Sequence, residues 1–242
     1  MTQAPASMIR SDLEKVVTEF ISKSGSNERY ASFDYCYNYF RTTNDLTRDI
    51  EKSCLMLGFY LASWGMFRGS SFLLQKSAKH FERTVEYVAN LDRSVWEIDV
   101  DTYTDQNIQR IISIYGELKD VLIDNANADL TLITKVLLGV FGFVPAFDNY
   151  FSETFRQISN GQCGFIRVNT KSLSFIRSFY EANQVTIDNL SNSTFTTDFR
   201  TEKKTAITYP KVKIIDMYGF MVSQTASNSS NEATSSPQSI SL

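Results

Sequence analysis

The chain has 242 residues, 43% of them hydrophobic, which is enough to bury a sizeable core as one large domain or two small ones. Its formal net charge of −3 argues against a protein that coats nucleic acid non-specifically, because that function needs a broad basic surface. Three cysteines without a CxxC pair and a single histidine, His80, argue against a disulfide framework, a structural zinc site or a His-rich metal centre.

The first predicted helix runs from Ile9 to Lys23. Ser11 and Glu14 have the spacing of a capping box, in which the two side chains satisfy each other's backbone N–H groups. The apolar residues that follow fall on one helical face, so we expect this face to pack against the core.

Residues 33–40 are rich in aromatic side chains and are predicted to form a helix. The alternation of aromatic residues would also suit a strand, but helical spacing brings Asp34, Tyr37 and Arg41 onto one face. A well-packed aromatic helix is the structural interpretation, and a stacking wall beside a substrate pocket is the functional one. The candidate stacking residues are Tyr35 and Tyr39.

Helices are also predicted at Asp49–Phe67 and Ser71–Val88, separated by a segment with Gly65 and Gly69. A helix that ends and restarts here would direct polar side chains into a cleft. A tryptophan with an arginine and a glutamine suits a base or sugar pocket, although the tryptophan alone would suit a core and the serines would suit a helix cap. The candidate substrate-binding residues are Trp64, Arg68, Ser70 and Gln75.

The second half of the chain is predicted to be mainly helical. Helices are expected at Ile108–Asp124, Leu130–Phe141, Phe151–Ile158, Ser172–Asn183 and Thr208–Phe220, and weak strand character is confined to Val168–Asn169 and Phe195–Phe199. Polar residues dominate from 223 to 242, and such a stretch cannot bury enough apolar surface to offset its ordering entropy. We expect a compact, mainly α domain over residues 1–222, arranged as one unit or as two lobes flanking a cleft, with a disordered C-terminal tail.

The most apolar stretch, Leu130 to Phe147, is interrupted by Lys135 and Pro145. A transmembrane helix needs about 20 predominantly apolar residues, so we expect a buried helix instead. The first twenty residues lack a basic start followed by an apolar run, which is the pattern of a secretory signal. These features predict a cytoplasmic protein without a membrane partner.

Residues 133–151, with the sequence ITKVLLGVFGFVPAFDNYF, combine an apolar helix, a break and a carboxylate at the start of the next helix. The break falls at Gly142 to Pro145, and Asp148 follows it. The positive end of a helix dipole favours a carboxylate at such a position. A plain N-cap is the structural interpretation of the same residue.

This segment resembles the second half of the signature of helix-hairpin-helix DNA glycosylases. In that family a hydrophobic helix ends in FG, a proline-containing turn follows, and an Asp opens the next helix. The corresponding residues here are Phe141, Gly142, Pro145 and Asp148. The sequence TKVLL…PAFD is also similar to the K-x-L-x-F…P-x-x-D pattern of archaeal 8-oxoguanine glycosylases. The resemblance covers residues 133–151 only and implies a helix-hairpin-helix glycosylase-like fold.

The chain departs from the family pattern before this helix. Residues 124–131, DNANADLT, contain no glycine, so the glycine-rich hairpin is degenerate or absent and its phosphate-binding role is not carried over. Lys135 precedes Asp148 by thirteen residues, closer than the catalytic lysine of the bifunctional members, so the lyase role is not carried over either. We interpret Lys135 as a partly buried lysine whose ammonium reaches the surface, where it would contact DNA.

The resemblance implies a monofunctional DNA glycosylase that needs no metal or organic cofactor and acts in DNA repair. The departures from the family pattern suggest an unusual substrate, such as a modified base in phage DNA, and hence phage defence as a second role. A damaged or modified base would be flipped out of the duplex, and Asp148 would activate water or stabilise an oxocarbenium-like cation. The basic residues expected to contact DNA are Lys135, Lys203, Lys204 and Lys211. Two alternatives remain open: a non-catalytic helical module that binds nucleic acid or protein, and another hydrolase with a carboxylate pair formed by Asp34 and Asp148.

Overall fold

The computed structural model describes residues 8–123 and 129–234, with side chains described through residue 226. Within these ranges the fold is mainly helical, as predicted. The α-helices are α1 (Leu13–Ser22), α2 (Ser32–Thr42), α3 (Ile50–Ser63), α4 (Glu82–Ala89), α5 (Asp105–Leu122), α6 (Leu130–Val136), α7 (Asn149–Ile158), α8 (Thr170–Ala182), α9 (Gln184–Ser193) and α10 (Lys211–Thr234). Strands β1 (Phe195–Thr197) and β2 (Lys204–Thr208) form an antiparallel hairpin.

The strand prediction at Phe195–Phe199 is therefore confirmed over Phe195–Thr197, whereas the one at Val168–Asn169 is wrong. Asn169 instead caps α8. Its side chain accepts the backbone N–H of Ser172 at 3.0 Å, and the Ser172 hydroxyl accepts the backbone N–H of Asn169 at 3.1 Å. This reciprocal pair is a capping box, which ends the preceding extended backbone.

Helix α1 begins at Leu13 without the capping box expected at Ser11. Asp12 takes the N-cap position, but its side chain makes no capping hydrogen bond. The Asp12 carboxylate instead accepts the Tyr218 hydroxyl of α10 at 3.1 Å. A contact between α1 and α10 therefore replaces the local cap, which the sequence of α1 alone cannot reveal.

The single helix predicted from Ser71 to Val88 is wrong. Two 3₁₀ turns, Phe72–Gln75 and Ala78–Phe81, precede α4. The Ser71 hydroxyl accepts the backbone N–H of Leu73 at 3.3 Å and donates to the carbonyl of Met66 at 2.6 Å. A serine that bonds to nearby backbone in this way competes with an α-helix, so the chain turns here rather than continuing.

Helix α6 continues into a π-helical turn at Leu137–Phe141, which ends at Gly142 in the left-handed conformation with φ +77°. A β-carbon at Gly142 would lie 2.5 Å from Pro210 Cγ and 2.9 Å from a ring carbon of Tyr37. Position 142 therefore requires glycine for two reasons, its backbone conformation and the close approach of its neighbours. The reversal returns the chain to α6 and places Asp148 at the start of α7, as predicted.

Helix α10 packs against α7 and α1, and its residues 212–221 are all buried. Next to it, the stacked rings of Phe147, Phe151 and Phe155 form an aromatic column, with ring centroids 5.5 and 4.3 Å apart. The helix continues to Thr234, so its second half lies in the polar stretch that begins at residue 223. Once its buried first half is in place, a helix extends at little cost. No helix in the described ranges combines the length and apolar character required to span a membrane.

The start of α10 is held by the carboxylate of Asp99. It accepts the backbone N–H of Lys211 at 2.7 Å and of Val212 at 3.0 Å, and also caps its own 3₁₀ turn through Val100 at 2.7 Å. Burial raises the pKa of Asp99 to about 6, although the three N–H donors oppose this shift.

We expect the stability that Asp99 contributes to fall as the pH rises. The folded state, with its raised pKa, binds the Asp99 proton more tightly than the unfolded chain between about pH 4 and pH 6. The contribution is therefore fully present below this window and is lost above it. Urea unfolding of the wild type and of Asp99→Asn at several pH values measures this difference. A difference in unfolding free energy that stays constant from pH 4 to pH 7 would contradict the assignment.

Candidate functional site

A small cavity lies where the end of α3, α6, α10 and the turn before α7 meet. Its volume is about 10 Å³, close to that of one water-sized sphere. It is lined by Tyr60, Trp64, Lys135, Leu138, Ala146, Asp148, Asp216 and Phe220. A lysine and two carboxylates in an otherwise apolar wall distinguish this cavity from an ordinary packing defect, since buried charges are costly unless they are paired.

The first ion pair joins α6 to α7. Lys135 Nζ lies 3.1 Å from Asp148 Oδ2, with side-chain exposures of 4% and 16%. Asp148 Oδ1 accepts the backbone N–H of Phe151 at 3.0 Å, so the residue is the N-cap of α7. One oxygen is therefore used for the cap and the other for the lysine, which fixes the orientation of the carboxylate.

A second ion pair lies within α10 and was missed by the sequence analysis. Lys213 Nζ is 2.8 Å from Asp216 Oδ2, and both side chains are buried. Asp216 Oδ1 also accepts the backbone N–H of Ala146 at 3.0 Å, two residues before Asp148. The pair therefore connects α10 to the turn that carries Asp148. The available signal was two opposite charges three residues apart in the apolar stretch 212–222.

Trp64, at the end of α3, lies between the two pairs. Lys135 Nζ is 5.1 Å and Lys213 Nζ is 5.0 Å from the centre of its ring, and the Arg29 guanidinium is 5.8 Å away. These distances are within the range of cation–π attraction. The Trp64 Nε1–H is buried and has no hydrogen-bond partner among the described residues, so one residue of the cavity wall carries an unpaired donor.

The other candidates of the same segment lie apart from this cavity. Arg68 and Ser70 line a groove next to it, formed by residues 65, 66, 68 and 70–73 together with Thr131 and Leu132, with a volume of about 230 Å³. Gln75 is exposed and lines neither space. The structure therefore places Trp64 beside Asp148 and groups Arg68 with Ser70 in a separate groove.

Lys135 does not reach the surface, contrary to expectation. The Asp148 carboxylate and the Trp64 ring hold its ammonium inside, and the residue is 3% exposed. It therefore cannot serve as a surface contact to DNA in this conformation. The site of the expected glycine-poor hairpin falls mostly on residues 124–128, which lie outside the described residues.

The remaining basic candidates lie near the hairpin and the start of α10. Lys203 and Lys204 are exposed, and Lys204 Nζ donates to Thr197 Oγ1 at 3.1 Å. Lys211 instead pairs with Asp101 at 2.5 Å, which neutralises its charge. Of these three candidates, Lys203 and Lys204 are therefore exposed cations, whereas the charge of Lys211 is paired.

Neither aromatic candidate of α2 lies at the cavity. The Tyr35 hydroxyl donates to the carbonyl of Ser26 at 2.7 Å, and the Tyr39 hydroxyl is 2.8 Å from Ser53 Oγ. Both tyrosines therefore have structural contacts of their own, and they do not form a wall beside Asp148.

Asp34 is also used structurally. Its carboxylate accepts the backbone N–H of Thr197 at 2.7 Å and the hydroxyl of Tyr209 at 2.5 Å, and burial raises its pKa. It anchors the hairpin to α2 and does not line the cavity of Asp148, so the geometry gives no support to the pair of Asp34 and Asp148. Among the described residues, no group of three or more His, Cys, Asp or Glu side chains is placed to hold a metal ion.

Comparison with known proteins gave no match to a family model, to a curated protein or to a solved structure. The function is therefore inferred from the geometry of the cavity, from the groove beside it and from the local resemblance at residues 133–151.

Proposed function

We propose that this chain is a cytoplasmic, monofunctional DNA glycosylase, which hydrolyses the N-glycosidic bond of a flipped damaged or modified base with Asp148 as the catalytic carboxylate. The observation that carries the proposal is the placement of Asp148. It lies partly exposed at the edge of an aromatic-lined cavity, at the N-terminus of α7, and is oriented by two donors. The resemblance of residues 133–151 to helix-hairpin-helix glycosylases supports the same function, in DNA repair or in defence against phage DNA.

Electrostatics gives the carboxylate its role. As the bond between C1′ and the base nitrogen breaks, positive charge develops on the sugar, and a fixed negative charge beside it lowers the barrier. Lys135 and the Phe151 N–H already hold the carboxylate in place, so little reorganisation accompanies the reaction. The lysine thus acts as a positioning residue through Asp148.

The hydrolysis balances with water as the only co-reactant. The electron pair of the C1′–N bond leaves with the base, and the oxygen of a water molecule forms the new bond to C1′. The proton released by that water passes to Asp148, and the departing base takes up a proton from solvent. A cavity of about 10 Å³, lined by Asp148, is large enough for this water molecule.

The cavity is far too small for a base, so in this proposal the base lies outside it. Trp64 is half-buried and lines the cavity together with Asp148. We assign to its ring the stacking of the flipped base, a contact that tolerates many base types. With a net charge of −3, the chain should bind undamaged DNA weakly.

The proposal predicts that Asp148→Asn strongly slows base release. The asparagine oxygen still accepts the Phe151 N–H, so the helix cap is kept, but the negative charge is lost. We expect the rate of base release to fall about a hundredfold or more. The measurement is alkali cleavage at abasic sites in a panel of duplexes that contain damaged or phage-type modified bases.

A matched control is Asp49→Asn, because Asp49 caps α3 through the N–H of Lys52 at 3.1 Å and lies outside the cavity. Since Asp148→Asn leaves Lys135 buried without its counter-ion, the double variant Lys135→Met, Asp148→Asn provides a second inactive form without an unpaired charge. Base release by the wild type and by Asp49→Asn, but not by the Asp148 variants, supports the proposal. Equal release by a folded Asp148 variant, or no release by the wild type across the panel, overturns it in favour of another catalytic residue or of a non-catalytic binding module.

A further inference from the structure

The groove beside Trp64 contains an arginine without a counter-ion. Arg68 is exposed along this groove, and no described carboxylate lies within ion-pair distance of its guanidinium. Other exposed arginines, such as Arg83, also lack an ion pair, but Arg68 differs from Arg83 because it lines a groove of about 230 Å³. A guanidinium that lines a groove can meet an anionic group there with its paired N–H donors.

The backbone is shaped to receive this guanidinium. Gly65 has φ +78°, and a β-carbon there would lie 2.6 Å from Arg68 Nε and 2.8 Å from its Cζ. The side chain therefore packs directly on the backbone of Gly65 and is held against the groove wall. Ser70 adds a hydroxyl with no partner among the described residues, whereas the Ser71 hydroxyl donates to the carbonyl of Met66.

We propose that this groove binds a phosphate group through the Arg68 guanidinium and the Ser70 hydroxyl. A guanidinium offers paired N–H donors that match two phosphate oxygens, which a neutral wall or a single ammonium does not. The inference rests on the proposed function in one respect: the phosphate is assigned to the nucleotide whose base stacks on Trp64, four residues before Arg68. Phosphate binding itself is measured without any catalytic step.

The test uses fluorescence anisotropy with a labelled duplex that contains a tetrahydrofuran abasic site. We expect Arg68→Ala to weaken binding about tenfold or more and to reduce the slope of log K against log salt by about 1. Arg68→Lys keeps the charge but loses the paired donors, so its affinity for the duplex should lie between those of the wild type and Arg68→Ala. Arg83→Ala removes another exposed arginine, in α4 and outside the groove, and should bind like the wild type.

Two competitors, a deoxynucleoside monophosphate and inorganic phosphate, distinguish the source of the phosphate. Weaker duplex binding by Arg68→Ala supports a backbone phosphate. If Arg68→Ala loses binding of the monophosphate but keeps binding of the duplex, the result supports a free nucleotide as the source of the phosphate. Equal binding of all three probes by Arg68→Ala and Arg83→Ala overturns the inference, even if Asp148→Asn confirms the glycosylase. Conversely, an Arg68 effect in a protein that releases no base supports the phosphate site and counts against the glycosylase.

Discussion

Replacing Asp216 with alanine is expected to destabilise the protein by about 3–5 kcal/mol, because the change leaves a buried lysine without its counter-ion. The Lys213 ammonium is 1% exposed and is surrounded by the rings of Phe20, Phe33 and Trp64, at 5.4, 4.7 and 5.0 Å. Cation–π contacts of this kind compensate only part of the lost hydration. The alanine also leaves the backbone N–H of Ala146 without its acceptor.

Urea unfolding of the single variant and of the double variant Lys213→Met, Asp216→Leu separates the charge from the packing. Removing both charges restores most of the stability, since a buried pair contributes little beyond what apolar residues of similar size would. Asp216→Asn keeps an oxygen for the Ala146 N–H and isolates the loss of charge. A loss of less than about 1 kcal/mol in the alanine variant would show that the ammonium finds solvent or another partner.

Gly142→Ala is expected to destabilise the protein by about 2–5 kcal/mol, from the left-handed backbone and from the clash with Pro210 and Tyr37. Two other glycines separate these causes. Gly69 has φ +62° with open space around it, so Gly69→Ala tests the backbone cost alone, about 1–2 kcal/mol. Gly116 lies inside α5 with open space and ordinary helical geometry, so Gly116→Ala should stabilise by about 0.5–1 kcal/mol.

Thermal or urea unfolding compares the stabilities of the three alanine variants directly. If Gly142→Ala loses no more than Gly69→Ala, then Pro210 and Tyr37 yield to the added methyl group. In that case the turn before Asp148 would be less tightly built than the contacts indicate.

The long amphipathic helices could be predicted from the sequence because their apolar residues recur at helical spacing. Helices α3, α5, α7 and α8 lie within a few residues of the expected bounds. The helix prediction for residues 71–88 was wrong because the Ser71 side chain bonds to local backbone, which outweighs the periodicity at its start. The start of α1 was predicted wrongly for a different reason, since the Asp12 carboxylate accepts the hydroxyl of Tyr218, which lies 206 positions away in the sequence.

The site was predictable in part. Asp148 and Trp64 were found because each stands at a visible break in a helical pattern. Lys213 and Asp216 were missed, since periodicity assigns charged residues of a helix to the solvent side, whereas α10 is enclosed on every side over residues 212–221. The position of Lys135 was also predicted wrongly. Its burial depends on a carboxylate and an aromatic ring from other parts of the chain, Asp148 and Trp64, which the sequence around Lys135 does not reveal.

The π-helical turn at Leu137–Phe141 restricts how the length of this chain can vary. Each residue advances an α-helix by about 100°, and a π turn accommodates one residue more than an α turn does. Deleting one residue of this turn would let it close as an α turn, with Lys135 and Asp148 still paired, whereas deleting two residues would rotate the lysine about 100° away from its partner. In homologous sequences we therefore expect the interval between the lysine and the aspartate to be thirteen or twelve residues, while larger insertions and deletions accumulate in surface loops.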